Sequence, residues 1–188
     1  FRVTCMTMRR DPVYHTTLVG RPPQEDCWMT EAIARLLLPV LQRALPEIVD
    51  YRLPFAGVAH NLMLVKIRKQ YPGQAQKVMS GLWGLGQAMF TKVIVVVDED
   101  VNIHDDAEVA WKVLNHLDPQ RDLQFMLGPI ETLDHSSRAA CYGSKVGVDA
   151  TRKWKEEGFT REWPDEIVMD AVTRERVRAR WHDFGLGA

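Results

Sequence analysis

Five consecutive apolar residues, Val93 to Val97, run between Lys92 and the acidic stretch Asp98-Glu99-Asp100. Four of the five are valine, a β-branched residue that packs well on a pleated sheet and is stiff in a helix. An unbroken apolar run of this length predicts a strand buried on both faces, as in the middle of an α/β sheet.

The surrounding pattern supplies the flanking layers. Phe1 to Arg10 alternates Val3, Cys5 and Thr7 against Arg2, Thr4 and Met6, a period of two that predicts a strand. A chain opening in mid-strand, with no Met before Phe1, is expected to be the C-terminal part of a larger protein. Asp11-Pro12 and Gly20-Arg21-Pro22-Pro23 disfavour helix and predict an extended arm over Asp11 to Gln24. Asp26 or Thr30 caps a helix reaching about Ala44, with Ile33, Leu36, Leu37, Leu41 and Leu45 along one side and a kink expected at Pro39. Strands are expected over Glu47 to Leu53 and Asn61 to Arg68, and a helix from Pro72 through Met89. Asp105 or Asp106 caps the next helix, whose Val109, Trp111, Val113, Leu114 and Leu117 are expected mostly inward. Asp118-Pro119 ends it, Leu123 to Leu127 makes a further strand, and Gly128 to Glu166 reads as loop. A last, arginine-rich helix spans Arg174 to His182, capped by Asp170 or Thr173. The expected fold is α/β: a mixed β-sheet flanked by helices, with an N-terminal extended arm and a C-terminal helix. Residues 1–25 form the leading strand and arm, 26–150 the α/β domain, and 151–188 an extension and helix.

Composition excludes several classes of function. A formal net charge of -1 offers no electrostatic footprint for nucleic acid or an anionic membrane. No apolar run approaches the roughly 20 residues of a membrane span. Cys5, Cys27 and Cys141 are odd in number and far apart, which suits reduced thiols in a cytoplasmic protein and neither a disulfide frame nor a zinc site. Eight Met and six Trp hint at packed surfaces between subunits or domains.

Candidate chemistry is sparse. The buried strand delivers Asp98, Glu99 and Asp100 to its carboxyl end, where open α/β sheets place their sites and hard oxygen ligands could hold a divalent cation. The simpler account is that they solvate the strand end and cap the next helix, because only alternate residues face one way. The six histidines lack HxxxH or HxH spacing. Gly81, Gly84 and Gly86 do not fit G-x-G-x-x-G and fall in a helical pattern, so close helix packing explains them better. Gly143-Ser144-Lys145 lacks the leading glycine of a P-loop. Asp134-His135-Ser136-Ser137 has the residue types of a hydrolase triad, but adjacent residues do not stack in that geometry. Lys92 is a lone cation at the root of the buried strand, placed either to reach an anion or simply to flank the strand.

Four long blocks together resemble the UbiD family of reversible decarboxylases. They are RRDPVYHTTLVGRPPQED (Arg9 to Asp26), LPVLQRALPEIVDYRLP (Leu38 to Pro54), VKIRKQYPGQAQKVMSGLWGLGQAMFTKVIVVVDEDVN (Val65 to Asn102) and GSKVGVDATRKW (Gly143 to Trp154). The likeness spans nearly the whole chain and is strongest to the decarboxylases of quinone biosynthesis. FRVTCMTMRRDPVYHTTLVGRPP and GLWGLGQAMF lean towards the menaquinone branch. The resemblance implies an enzyme that uses prenylated FMN as electron sink for loss of CO2 from an aromatic or unsaturated acid, with Mn2+ and K+ at the cofactor. It places the Glu-Arg-Glu set and the metal ligands in an upstream flavin domain, so no catalytic residue is expected in this sequence and the isolated piece is expected to be inactive. It assigns Lys92 to the cofactor phosphate, Trp28, Met29 and Thr30 to the substrate cleft, and Leu133 and His135 to the pocket lining. It further implies a homo-oligomer, dimer or hexamer, bridged by the C-terminal helix and the Trp154 to Trp163 segment. A flavin prenyltransferase would supply the cofactor, and a lipophilic substrate could bring the protein to a membrane surface. Two other readings compete: a non-catalytic oligomerisation domain, and a carboxylase of phenolic compounds. Lys92 and Thr30 facing a cleft favour the enzyme; the same residues in a subunit contact favour assembly.

Overall fold

A computed structural model describes residues 1–185. Helix α1 (Glu25–Ala44) starts one turn before Thr30, with Glu25 and Asp26 in its first turn, where negative charge complements the helix dipole. Pro39 lies inside it without ending it. Strands β1 (Ile48–Arg52) and β2 (Leu62–Ile67) follow, then α2 (Gln74–Trp83), β3 (Val93–Asp98), α3 (Asp106–His116) and the short α4 (Pro119–Asp122). The chain continues through β4 (Leu123–Pro129), β5 (Tyr142–Asp149) and α5 (Ala171–Ala179). The five strands form one mixed sheet in the order β1-β2-β3-β5-β4. Its central strands β2, β3 and β5 run parallel, and each edge strand is antiparallel to its neighbour.

Strand β3 is covered on both faces, as its valine run requires. Ile94 and Val96 join Met63, Val65, Leu41, Val78, Met79, Leu82 and Trp83 under α1 and α2. Val95 and Val97 point the other way, to Leu64, Val101, Ile103 and Val109 beneath α3. Gly81 serves close packing, because a Cβ there would stand 2.9 Å from Leu45 Cδ2.

Several expectations are corrected. Phe1 to Arg10 forms no strand: it is exposed throughout and pairs with no strand among the described residues. Alternation favours an extended backbone, but a strand persists only where an adjacent edge takes up its hydrogen bonds. The helix expected from Pro72 through Met89 stops at Trp83, and a separate 3-10 turn, Gly86–Phe90, comes after it. Gly86 sits at φ +48°, a backbone conformation that glycine adopts without strain. Trp111 and Leu114 are not inward; both are exposed on α3. Most consequentially, the loop expected over Gly128 to Glu166 contains β5, the strand beside β3. The inward positions of β5 are Gly143, Lys145, Gly147 and Asp149, so it carries no apolar alternation to read. Gly147 is required because Met79 and Trp83 lie against the strand: a Cβ there would stand 2.2 Å from Met79 Sδ. Asp170 caps α5 through the Thr173 amide, as expected, and no helix among the described residues is long and apolar enough to cross a membrane.

Candidate functional site

The amino ends of the parallel strands gather the polar groups that sequence reasoning singled out. Lys92 immediately precedes β3 and His60 lies two residues before β2, and the Lys92 amide donates to the His60 carbonyl at 3.0 Å. Both side chains reach the segment joining β4 to β5. Lys92 Nζ pairs with Asp134 Oδ2 at 2.5 Å and donates to Ser136 Oγ at 2.8 Å. His60 Nε2 stands 3.6 Å from Glu131 Oε2. Asp134 Oδ1 also accepts from the Ser136 amide and hydroxyl, at 2.9 and 2.8 Å. The Lys92 hydrogen bond, helped by those from Ser136, holds the Asp134 carboxyl below its usual range.

Asp134 and Ser136 therefore act as a turn that binds a lysine, with His135 between them exposed and Leu133 exposed before them. The triad reading of this tetrapeptide is excluded by that arrangement. The sequence carried a signal for the pair, an Asp two residues before a Ser in a loop, but nothing in it linked the turn to Lys92. His60 and Glu131 carried no signal at all.

Thr30 lines an apolar groove of about 340 Å³. Ile33, Leu37 and Val40 of α1, the segment Leu85 to Ala88, and His60 and Thr91 also line it. The groove thus joins the Thr30 turn of α1 to the residues next to Lys92. Trp28 and Met29 project from the same turn, both more than half exposed, with Trp28 edge-on to Phe55 at 4.9 Å. A concave apolar surface with few polar groups is the usual form of a small-molecule site.

The carboxyl ends of the strands are a different environment. Asp98 Oδ2 accepts from the Arg152 amide at 2.7 Å, Glu99 pairs with Arg68 at 2.9 Å, and Asp100 lies 3.4 Å from Lys112 and 3.5 Å from Arg152. Burial pushes the Asp98 carboxyl up. Each carboxylate is held by its own partner, and no three His, Cys, Asp or Glu side chains converge to hold a metal among the described residues. The next helix is capped by Asp105, which accepts from the Ala107 and Glu108 amides. On this side of the molecule Trp163 packs onto its own chain, stacked on Phe159 at 4.4 Å and donating to the Lys153 carbonyl at 2.9 Å.

The fit to a flavin phosphate and its ions is uneven. The Lys92 ammonium and Ser136 hydroxyl make a donor pair of the kind that a phosphate monoester requires. No three His, Cys, Asp or Glu side chains converge that could hold Mn2+ among the described residues.

Residues 27–150 match the family described as 3-octaprenyl-4-hydroxybenzoate carboxy-lyase C-terminal domain. An uncharacterized protein of Archaeoglobus fulgidus is 49% identical over 98% of the chain, and one of Aquifex aeolicus is 48% identical over 98%. The chain spans 38% of the length of each of these relatives. The UbiD-class enzyme HmfF from Pelotomaculum thermopropionicum, in complex with FMN, superposes with a TM-score of 0.64 at 26% identity, over 77% of this chain and 31% of that one. The closed form of vanillic acid decarboxylase from Sedimentibacter hydroxybenzoicus reaches a TM-score of 0.80 at 21% identity, over 93% and 37%. That second likeness is one of fold.

Proposed function

The chain belongs to the UbiD C-terminal domain family, and on that premise we propose that it is part of a carboxy-lyase that removes CO2 from an aromatic or unsaturated acid. The acid is assigned to menaquinone or ubiquinone biosynthesis, in keeping with the blocks Phe1 to Pro23 and Gly81 to Phe90. One observation supports the reading most: Lys92 pairs with Asp134, the residue between Leu133 and His135, and is the chain neighbour of Thr91, which lines a groove that also contains Thr30.

In this reading the chain contributes binding and enclosure. Lys92 and Ser136 meet the phosphate of prenylated FMN. Trp28, Met29 and Thr30 on α1, with Leu133 and His135 on the loop, line the substrate cleft and exclude water from it. When bound, prenylated FMN supplies the electron sink for the carboxylate's departure. Catalytic carboxylates and the ligands of Mn2+ and K+ are assigned to the rest of the protein, and a flavin prenyltransferase to supply of the cofactor. The complete protein is read as a cytoplasmic homo-oligomer that meets a lipophilic substrate at the membrane surface.

A second reading, an assembly domain without a role in catalysis, draws on one feature. Trp28, Met29, Ile33, Leu36, Leu37 and Val40 leave α1 with an exposed apolar face, the usual mark of a contact surface. The two readings separate in one assay, CO2 release from a panel of aromatic acids by the flavin-loaded complete protein and by its Thr30→Trp variant, which fills the groove beside α1. Saturable release from at least one acid, weakened by the variant, is expected. A flavin-loaded protein that releases none from any acid contradicts the decarboxylase, and a folded variant that releases CO2 like the wild type leaves this chain to assembly alone.

A further inference from the structure

The Lys92 ammonium already has a counter-ion. Its side chain is 23% exposed, whereas that of Asp134, 2.5 Å away, is only 5% exposed. Asp134 Oδ1 is held by the Ser136 amide and hydroxyl, and Ser136 Oγ in turn accepts from Lys92. Lysine, acid and serine therefore close a ring made of one ion pair and the hydrogen bonds through Ser136. The acid stands where the oxygen of a bound anion would stand.

Resting on the reading of Lys92 as a phosphate contact, we propose that Asp134 is an internal counter-ion which a phosphate monoester displaces on binding, unlatching the loop that bears Leu133 and His135. Two like charges on one ammonium repel each other at contact distance, and a partly buried site screens that repulsion poorly. The phosphate therefore gains the full attraction of Lys92 only when the carboxylate withdraws. Withdrawal is feasible because the loop has few anchors to the rest of the fold. Its internal bonds, such as Asp134 N to Glu131 O at 3.1 Å and Ser137 Oγ to Ala139 O at 2.9 Å, travel with it. Its ties to the amino ends of β2 and β3 are the Asp134–Lys92 pair, the Lys92–Ser136 hydrogen bond at 2.8 Å and the longer Glu131–His60 pair at 3.6 Å. Displacing Asp134 removes the charged tie and leaves the Ser136 hydroxyl to turn from the carboxylate to the phosphate, so that of these ties only the Lys92–Ser136 bond and the Glu131–His60 pair restrain the loop that carries Leu133 and His135. Phosphate binding and the position of Leu133 and His135 become coupled through one carboxylate, each biasing the other.

The test is equilibrium binding of FMN and of riboflavin, which lacks the phosphate, to the complete protein and its variants, followed by flavin fluorescence. Asp134→Asn is expected to tighten FMN about tenfold, equivalent to about 1.4 kcal/mol, and to leave riboflavin unchanged. Lys92→Ala is expected to weaken FMN alone, and to abolish the gain from Asp134→Asn when the two are combined. Should Lys92→Ala leave FMN binding untouched, the phosphate reading itself fails, and the counter-ion proposal with it. Should Lys92→Ala weaken FMN while Asp134→Asn weakens it too, or shifts FMN and riboflavin alike, Asp134 is a structural partner and the proposal alone is overturned. If the asparagine variant fails to fold, Asp134→Ser, which keeps a hydroxyl and removes the charge, takes its place with the same expected and contrary results.

Discussion

Lys145 shows what one residue can conceal in a sequence. It is 1% exposed in β5, donates to the Met89 carbonyl, and has its ammonium 6.0 Å from the Trp83 ring centre. In the sequence it reads as an ordinary lysine in a glycine-rich stretch, and together with Gly143 and Gly147 it hides the strand. Burial lowers its pKa, and no carboxylate offsets that shift. Between the lowered folded value and the ordinary value near 10.4 the unfolded chain binds more protons, so stability rises with pH across that window. Lys145→Met removes this dependence. Urea midpoints measured at pH 7, 8.5 and 10 are expected to climb for the wild type relative to the variant, whereas parallel curves would refute a depressed Lys145.

At the level of elements, legibility depended on the source of each signal. Strand β3 was readable because its burial on both faces is written as an unbroken apolar run. The start of α3 was readable because a cap is local chemistry: Asp105 Oδ1 accepts from Ala107 at 2.9 Å and Glu108 at 3.1 Å. Removing the cap with Asp105→Ala should cost about 1 kcal/mol, read as a lowered denaturation midpoint. Strand β5 was not readable, because the need for glycine and lysine on its inner face arises from Met79, Trp83 and Met89, all distant in sequence. Phe1 to Arg10 misled for the opposite reason: its alternation is a local property, whereas pairing is not. The candidate site divides in the same way. Lys92 stood out by its place before the valine run, but its partners Asp134 and Ser136 lie more than forty positions away, and only the fold brings them within reach.

Across the whole molecule, one buried network fastens the sheet to the segment that leaves it. Lys153 Nζ lies 3.1 Å from Asp149 Oδ1 and 3.7 Å from Asp122 Oδ1, and donates to the Asp149 and Thr151 carbonyls. Gln76 of α2 donates to Asp149 at 3.1 Å, and Arg121 holds Asp122 through two nitrogens. The network ties α2, α4, the end of β5 and the segment carrying Trp163 into one unit. Lys153→Met would leave the buried Asp149 without a positive partner, while Asp122 keeps Arg121, so a loss of about 3–5 kcal/mol is expected in chemical denaturation. A loss below about 1 kcal/mol would show that the Asp149 carboxylate relaxes towards solvent. This network lies at the carboxyl ends of the parallel strands, whereas Lys92 and the residues next to the groove beside α1 lie at their amino ends. The direct test of the decarboxylase reading is to produce the complete protein with and without a flavin prenyltransferase. The mass of the released flavin and CO2 release from aromatic acids would be measured on the same samples. A prenylated flavin, and CO2 release, are expected only when the prenyltransferase is present. Equal activity in both samples, or prenylated flavin bound without CO2 release from any acid, would contradict the decarboxylase reading.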